Sequence, residues 1–400
     1  MDTLITPSNW QRVRLGDIAE IIGGGTPSTQ ITSFWNGSIN WFTPTEIGIT
    51  KYVYKSQRTI TPLGLKKSSA KLLPIGTILL TSRASIGDCA ILKVVATTNQ
   101  GFQSLIPLEK INNEFLYYLM LTLKNKLLKL ASGSTFLEVS PNKIKNLLIP
   151  LPPLNEQIAI ANILSDVDRY LYSLDALILK KESVKKALSF ELLSQRKRLK
   201  GFNQAWQKVR LGTYKYRRGS FPQPYGNPQW YSDNGMPFVQ VYDVGENFKL
   251  TQKTKQKISK IAQPMSVFVP KNSVIITLQG TIGRVALTQY DCYCDRTILI
   301  FDNNTLNDVN KYFFVLSLFT KFEEEKRKAD GSIIKTITKQ TLKDFEILLP
   351  PLNEQSTIAN VLSGLDHEII SLKNKKRQFE NIKKALNHDL MSAKIRVLNK

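Results

Sequence analysis

Arg83 and Gln279 are side chains able to read a base edge, since arginine forks onto guanine and glutamine pairs with adenine in the major groove, each with about 1–3 kcal/mol of discrimination. They stand 196 residues apart in the same setting, a short loop between a β-branched run and an Ile-Gly turn. Gln100 and Arg296 form a second pair at that offset. For all four, a hydrogen bond within the loop is the alternative role. Lys66-Lys67, Arg217-Arg218 and the alternating Lys253, Lys255 and Lys257 have the character of phosphate contacts, which set register without reading sequence. Plain surface charge is the alternative for these clusters.

Covalent chemistry is poorly provided for. Glu323-Glu324-Glu325 is the densest acidic run, but consecutive residues fan around a helix axis, so it reads as a solvated face rather than a nuclease's carboxylate cluster. His367 and His388 are the two histidines and both fall in helical patterns, which gives acid–base catalysis little to work with. Cys292-x-Cys294 lacks a second ligand pair; with Cys89 these residues read as buried or strand thiols, and no metal site or disulfide framework is expected. Gly23-Gly24-Gly25-Thr26 lacks the Lys-Ser/Thr of a phosphate loop and the downstream acid of a dinucleotide fold. Its glycines read as permitting positive φ or a close backbone approach. Asn227-Pro228-Gln229-Trp230 is a near miss for the Asn/Asp-Pro-Pro-aromatic motif of base-modifying amino-methyltransferases. Its third residue is wrong, and the matching Thr32-Ser33-Phe34-Trp35 has no such motif, so a structural loop is expected. The chain reads as non-enzymatic, with a self-sufficient DNA-modifying enzyme as the rival reading.

The elements that must position these residues come in duplicate. Four hundred residues predict two or more globular units. Pro152-Pro153-Leu154-Asn155-Glu156-Gln157 recurs as Pro350-Pro351-Leu352-Asn353-Glu354-Gln355, and the match continues ungapped through Lys185-Lys186-Ala187-Leu188 and Lys383-Lys384-Ala385-Leu386. A weaker echo precedes it in Trp10-Gln11-Arg12-Val13-Arg14-Leu15-Gly16 and Trp206-Gln207-Lys208-Val209-Arg210-Leu211-Gly212. The segments are therefore 1–153, a mixed α/β globule; 154–200, a spacer helix; 201–351, a second globule; and 352–400, a second helix. Strands are expected at Gly76–Thr81 and Ser273–Leu278, helices near Asn113–Leu130 and Leu306–Lys328, and N-caps at Ser140, before Pro141, and at Thr338.

In the long helices Leu164, Val167, Leu171, Leu174 and Ile178 step by 3 and 4, as do Leu362, Leu365, Ile369 and Leu372, so each is expected to bury its stripe against the other, antiparallel. Val184, Leu188 and Leu192, with Ile382, Leu386 and Leu390, extend the pattern. At about 1.5 Å per residue such a rod is roughly 60–65 Å long and would act as a spacer between the globules. Leu154, Ile160, Ile163, Leu352, Ile358 and Val361 are candidates to dock partner helices from its far faces; otherwise they extend the internal seam.

Charge sorts with this division. Lys and Arg number 55 against 32 Asp and Glu, a net +23, and each globule segment carries +8 against +3 and +4 for the helices. Such an excess favours a polyanionic partner, nucleic acid ahead of an anionic membrane surface. Met1–Trp10 has no basic or apolar leader pattern, and no run approaches a membrane span, so the chain reads as soluble, unsecreted and cytoplasmic.

Gly24-Gly25-Thr26-Pro27-Ser28, Trp35-Asn36-Gly37, Leu65-Lys66-Lys67-Ser68-Ser69, Thr81-Ser82-Arg83-Ala84-Ser85-Ile86-Gly87, Thr98-Asn99-Gln100-Gly101-Phe102 and the repeated Pro-Pro-Leu-x-Glu-Gln resemble the specificity subunits of type I restriction-modification systems over essentially the full length. The resemblance implies an α+β fold in which two target recognition domains are separated by two long antiparallel coiled-coil helices, with pseudo-twofold duplication. It implies that each domain reads half of an interrupted sequence in double-stranded DNA, and that the helices bind two methyltransferase subunits and, through them, restriction subunits. S-adenosylmethionine, ATP and Mg would belong to those partners, with no cofactor in this chain and no membrane partner. Carried over to this sequence, Thr26, Ser82 and Ser85 join the DNA-binding candidates, and Thr281 joins them in the second globule. There Arg218-Gly219-Ser220-Phe221-Pro222 replaces the Gly24-Gly25-Thr26-Pro27 pattern, and Leu278-Gln279-Gly280-Thr281 replaces Ser82-Arg83-Ala84-Ser85, implying a different second half-site.

Overall fold

A computed structural model describes residues 7–133, 137–245, 247–279, 283–328 and 339–397. The chain forms two compact units, Met1–Leu177 with Leu372–Lys400, and Ile178–Ser371. Each therefore takes one globule, the beginning of that globule's own long helix and the end of the other.

In the first unit a five-stranded sheet runs Ala19–Gly23, Gln103–Pro107, Ile78–Leu80, Cys89–Leu92, Tyr52–Val53. Beside it lie a three-stranded sheet of Arg58–Ile60, Trp35–Phe42 and Ala96–Thr98, and an antiparallel pair of Gln11–Arg14 with Leu148–Leu151. The helix Asn113–Thr122 packs on the larger sheet, burying Phe115, Leu116, Tyr118 and Leu119. The Asn112 side chain caps it, accepting from the Phe115 amide at 2.9 Å. The expected single helix to Leu130 is instead two, because Leu123 relaxes to ψ −2° and Lys124–Leu130 starts afresh. Ser140 caps Pro141–Lys145 as expected.

The second unit repeats the plan. Tyr216–Arg218, Ile298–Phe301, Val274–Thr277 and Val285–Leu287 form one sheet, Gln256–Ile258, Tyr231–Val239, Cys292–Cys294 and Val267–Val269 another, and Gln207–Arg210 pairs with Glu346–Leu349. Trp35–Phe42 in the first unit and Tyr231–Val239 in the second each have one antiparallel and one parallel neighbour. The helix expected from Leu306 begins at Lys311, where Asn310 caps the amides of Tyr312 and Phe313 at 3.1 Å. The cap expected at Thr338 lies outside the described residues.

Both long helices span 40 residues, Leu154–Leu193 and Leu352–Met391. In the first unit Asp168 pairs with Lys383, Tyr170 stacks on Phe379 and Asp175 pairs with Lys376; in the second Lys181 pairs with Glu368 and Lys185 with Asp366. Numbers rise on one helix as they fall on the other, so within each unit the segments run antiparallel. Of the apolar stripe, Leu164 and Leu174 are buried in the first unit and Ile178, Leu362 and Ile369 in the second. Leu188 and Leu192 pack on the second globule's core, Leu386 and Leu390 on the first's. Val184 and Ile382 do not continue the stripe: both are exposed, and the neighbouring contacts between helices are the ion pairs of Lys185 and Lys383 instead.

The repeated Pro-Pro-Leu-Asn-Glu-Gln motif is a clamp. Glu156 is buried and accepts from Arg396 Nε at 2.9 Å and Trp10 Nε1 at 3.1 Å. Glu354, equally buried, accepts from Arg198 Nη2 at 2.6 Å. Gln157 donates to the Lys110 and Pro152 carbonyls and accepts from the Asn112 amide; Gln355 does the same with Asp308, Pro350 and Asn310. Each start of a long helix is thus tied to its globule and to the chain just past the end of the other helix. In the first unit buried Lys51 adds a link, donating to Tyr118 and Ser165 at 2.9 Å and pairing with Glu114. Burial pushes its ammonium pKa down, with Glu114 opposing.

Candidate nucleic-acid interface

In the first globule the exposed tip is an Asx turn. Asn99 Oδ1 accepts from the Gly101 amide at 2.8 Å, which leaves Gln100 exposed at the apex, where Thr26 Oγ1 donates to its Oε1. The Ser82 amide donates to the Gly101 carbonyl at 2.8 Å, so the loop carrying Arg83 lies beside this turn. That loop is closed by Thr81, whose hydroxyl donates to the Ser85 carbonyl at 2.6 Å and accepts from the Asp88 amide at 3.0 Å. Ala84 and Gly87 supply positive φ. Arg83 is partly exposed, but its guanidinium is paired with Glu138 at 2.8 Å. Ser82 is 1% exposed, so as a DNA-contacting residue it is corrected: the strand end that delivers Arg83 must itself pack inside. Ser85 is half-buried, and Lys66 and Lys67 are exposed at the end of the helix Pro62–Lys66.

The glycines act through close approach. A Cβ on Gly24 would stand 1.9 Å from the Asn99 carbonyl oxygen, and one on Gly25 2.3 Å from the Ala70 nitrogen. Trp41 Nε1 donates to the Gly25 carbonyl at 2.9 Å and Trp35 Nε1 to that of Ser28 at 3.0 Å. Arg58, passed over in the sequence, stacks on this pair with its guanidinium carbon 3.8 Å from the Trp35 ring centroid. The available signal was an arginine at the start of the β-branched run Arg58-Thr59-Ile60, 17 residues after the second of two nearby tryptophans, Trp35 and Trp41.

The second globule builds the same turn from other residues. Asp295 Oδ1 accepts from the Thr297 amide at 2.8 Å and its hydroxyl at 2.7 Å, leaving Arg296 exposed at the apex and 5.3 Å from the Tyr225 ring centroid. Tyr225 donates to the other Asp295 oxygen at 2.5 Å; burial, then this bond, push its hydroxyl pKa up, so it stays a donor. The Leu278 amide donates to the Thr297 carbonyl at 2.8 Å, the counterpart of Ser82 and Gly101, and exposed Gln279 follows it. Thr281 lies outside the described residues. Gly219 takes the part of Gly24, with a Cβ there falling 2.2 Å from the Cys294 oxygen. Arg217 and Arg218 are exposed on a strand, Arg217 donating to the Phe268 carbonyl at 3.2 Å. Lys253, Lys255 and Lys257 are exposed; Lys255 lies over Tyr242, and Lys257 donates to the Asp233 carbonyl at 2.8 Å.

The rival chemistries find other uses for their residues. Asn227 Oδ1 accepts from the Gln229 amide at 3.0 Å, capping a short helical turn. Glu323 and Glu325 pair along their own helix with Lys326 and Lys321. Cys89, Cys292 and Cys294 are buried thiols, and burial pushes Cys89 up to about 12. Among the described residues no three His, Cys, Asp or Glu side chains are grouped to hold a metal.

Of the partner-docking candidates, Leu154, Leu352 and Val361 are exposed and Ile163 is half-buried. Ile160 and Ile358 are corrected: both are buried in their globule's core, because the first turns of each long helix must bury one face to be held by the clamp.

Residues 7–185 and 223–381 each match the family described as the type I restriction modification DNA specificity domain. The type I restriction enzyme MjaIX specificity subunit of Methanocaldococcus jannaschii is 28% identical over an alignment 421 positions long, covering 98% of this chain and 94% of that protein. The S subunit of the type I restriction-modification system from M. genitalium superposes with a TM-score of 0.59 at 15% identity, over 97% of both chains. A chain solved for complex assembly and conformational transition of the type I R-M system superposes at 0.63 with 19% identity, over 96% of this chain and 98% of that one.

Proposed function

The chain belongs to the type I restriction-modification DNA specificity family, and on that premise we propose that each globule reads one half of an interrupted duplex target while the helices recruit the methyltransferase subunits that modify it. One observation carries this reading: the two globules present the same Asx turn with a different exposed apex, Gln100 in the first and Arg296 in the second, each beside a strand end that leads to Arg83 in one and Gln279 in the other. A common backbone with divergent donors and acceptors is what two different half-sites require. Thr26 and Ser85 flank the first tip, and Lys66, Lys67, Arg217, Arg218, Lys253, Lys255 and Lys257 supply phosphate contacts. Leu154 and the exposed part of Ile163 offer a surface for a partner helix in the first unit, and Leu352 and Val361 offer one in the second. Two methyltransferase subunits, and restriction subunits bound through them, would bring S-adenosylmethionine, ATP and Mg.

Among the described residues no helix is long and apolar enough to cross a membrane, and the work is assigned to the cytoplasm, where the DNA is. The test is the pattern of adenine methylation left by this chain with its methyltransferase subunits. A bipartite target is expected, and Arg296→Ala should weaken discrimination at one base of the second half by about 1–3 kcal/mol while sparing the first. Methyl transfer by the purified chain alone would establish the rival enzyme and end this reading.

A further inference from the structure

We propose that Arg58 is a guanine-reading residue of the first half-site, with Trp35 and Trp41 as the platform that aims it. The proposal rests on the reading above. Arg58 opens the strand Arg58–Ile60 directly opposite Trp41. Its guanidinium carbon lies 3.8 Å from the Trp35 centroid and 5.3 Å from that of Trp41, and the two indoles meet edge to face at 5.0 Å. Both rings are buried, and both N–H groups are committed to carbonyls of the Gly24–Ser28 segment. The platform is therefore rigid, and a cation over an indole face is favourable.

Stacking holds one face of the guanidinium and leaves its N–H edge available, which suits the planar fork to the two acceptors of a guanine edge. Arg58 is exposed, and among the described residues its side chain has no ion pair and no hydrogen bond. Arg83 contrasts with it, because Glu138 already occupies that guanidinium. Arg58 is linked to the tip through its platform: Trp41 holds Gly25, and the next residue, Thr26, holds Gln100. Ser56 fixes the backbone by donating to the Arg58 carbonyl at 2.6 Å.

The second globule supports the assignment by differing at this point. There Gln256 faces Phe238 in the register in which Arg58 faces Trp41. The cation beside the aromatic cluster comes from the turn instead, as Arg296 over Tyr225. A residue that only maintained the fold would be expected in both copies.

Arg58→Lys and Arg58→Gln, each assembled with the methyltransferase subunits, should be compared with the unchanged chain on duplexes altered one base pair at a time across both half-sites. The unchanged chain is expected to prefer G·C at one position of the first half, and both variants to lose that preference by about tenfold or more while keeping every preference in the second. Retention of the preference by Arg58→Lys would overturn the assignment, as would an equal fall on all sequences, which marks a phosphate contact. Loss of preference in both halves would mark a structural role and overturn it too. Absence of any bipartite preference in the unchanged chain would defeat the reading on which the assignment rests, and that result is seen before any variant is made.

Discussion

Glu156→Ala should loosen the first unit while leaving the second intact. The carboxylate is 2% exposed and receives both Arg396 and Trp10, so its loss leaves two donors facing a cavity. Breaking a buried pair from one side costs about 3–5 kcal/mol, and the lower end applies because Arg396 is partly in water. For a unit of this size, about 3 kcal/mol corresponds to a melting point lower by about 6–12 °C. Hydrogen exchange locates the effect: amides of Gln11–Arg14, Leu148–Leu151 and the end of the second long helix should lose protection, and those of Gln207–Arg210 should not. Glu354→Ala, which deprives Arg198, should produce the converse. Glu156→Gln keeps an acceptor and should cost less. Equal loss of protection in both units after Glu156→Ala would show that the clamp is not local to one unit.

Gly24→Ala is expected to abolish recognition of the first half-site, and Gly219→Ala recognition of the second. Neither glycine has positive φ; space alone demands them. The added carbon meets backbone oxygen at 1.9 Å in one case and 2.2 Å in the other, and backbone cannot swing aside as a flexible side chain can. Relief requires the Gly24–Ser28 segment to part from Asn99, breaking the 2.8 Å bond from the Gly25 amide to the Thr98 carbonyl and releasing the turn that carries Gln100. Overpacking of this kind costs about 1–3 kcal/mol, and two unyielding backbones place it at the upper end. Discrimination among duplexes altered in the first half should disappear after Gly24→Ala, with second-half discrimination retained; the reverse holds for Gly219→Ala. If each variant kept its own half-site preference, the Asx turns would not be the reading elements.

The duplication, the starts of the long helices and the sites of divergence were legible in the sequence because they are local or periodic. An ungapped repeat at a fixed offset needs no coordinates. A proline-led helix start and a 3-and-4 apolar step follow from backbone geometry, and the pairing of Gln100 with Arg296 and of Arg83 with Gln279 followed from the same alignment. The close approach of Gly24 was one of two readings of a glycine run, and positive φ was the other.

Tertiary structure decided what each of those residues touches. Glu156 meets Arg396 across 240 positions, and Arg83 meets Glu138 across a fold-back. Neither partner is marked by type or spacing, because surface arginines and glutamates are common and only folding selects which two meet. Ser82, Ile160 and Ile358 are buried for the same reason: periodicity names the apolar or polar face of an element, whereas the neighbours packed on it determine whether that face sees water. Arg58 follows suit, an ordinary basic residue in the sequence that becomes an aimed one only where two strands and two indoles converge. The sequence by itself determined that there are two similar heads and two similar helices; the packing of distant segments determined which side chains remain free to face a ligand, since exposure is a property of neighbours and not of the residue.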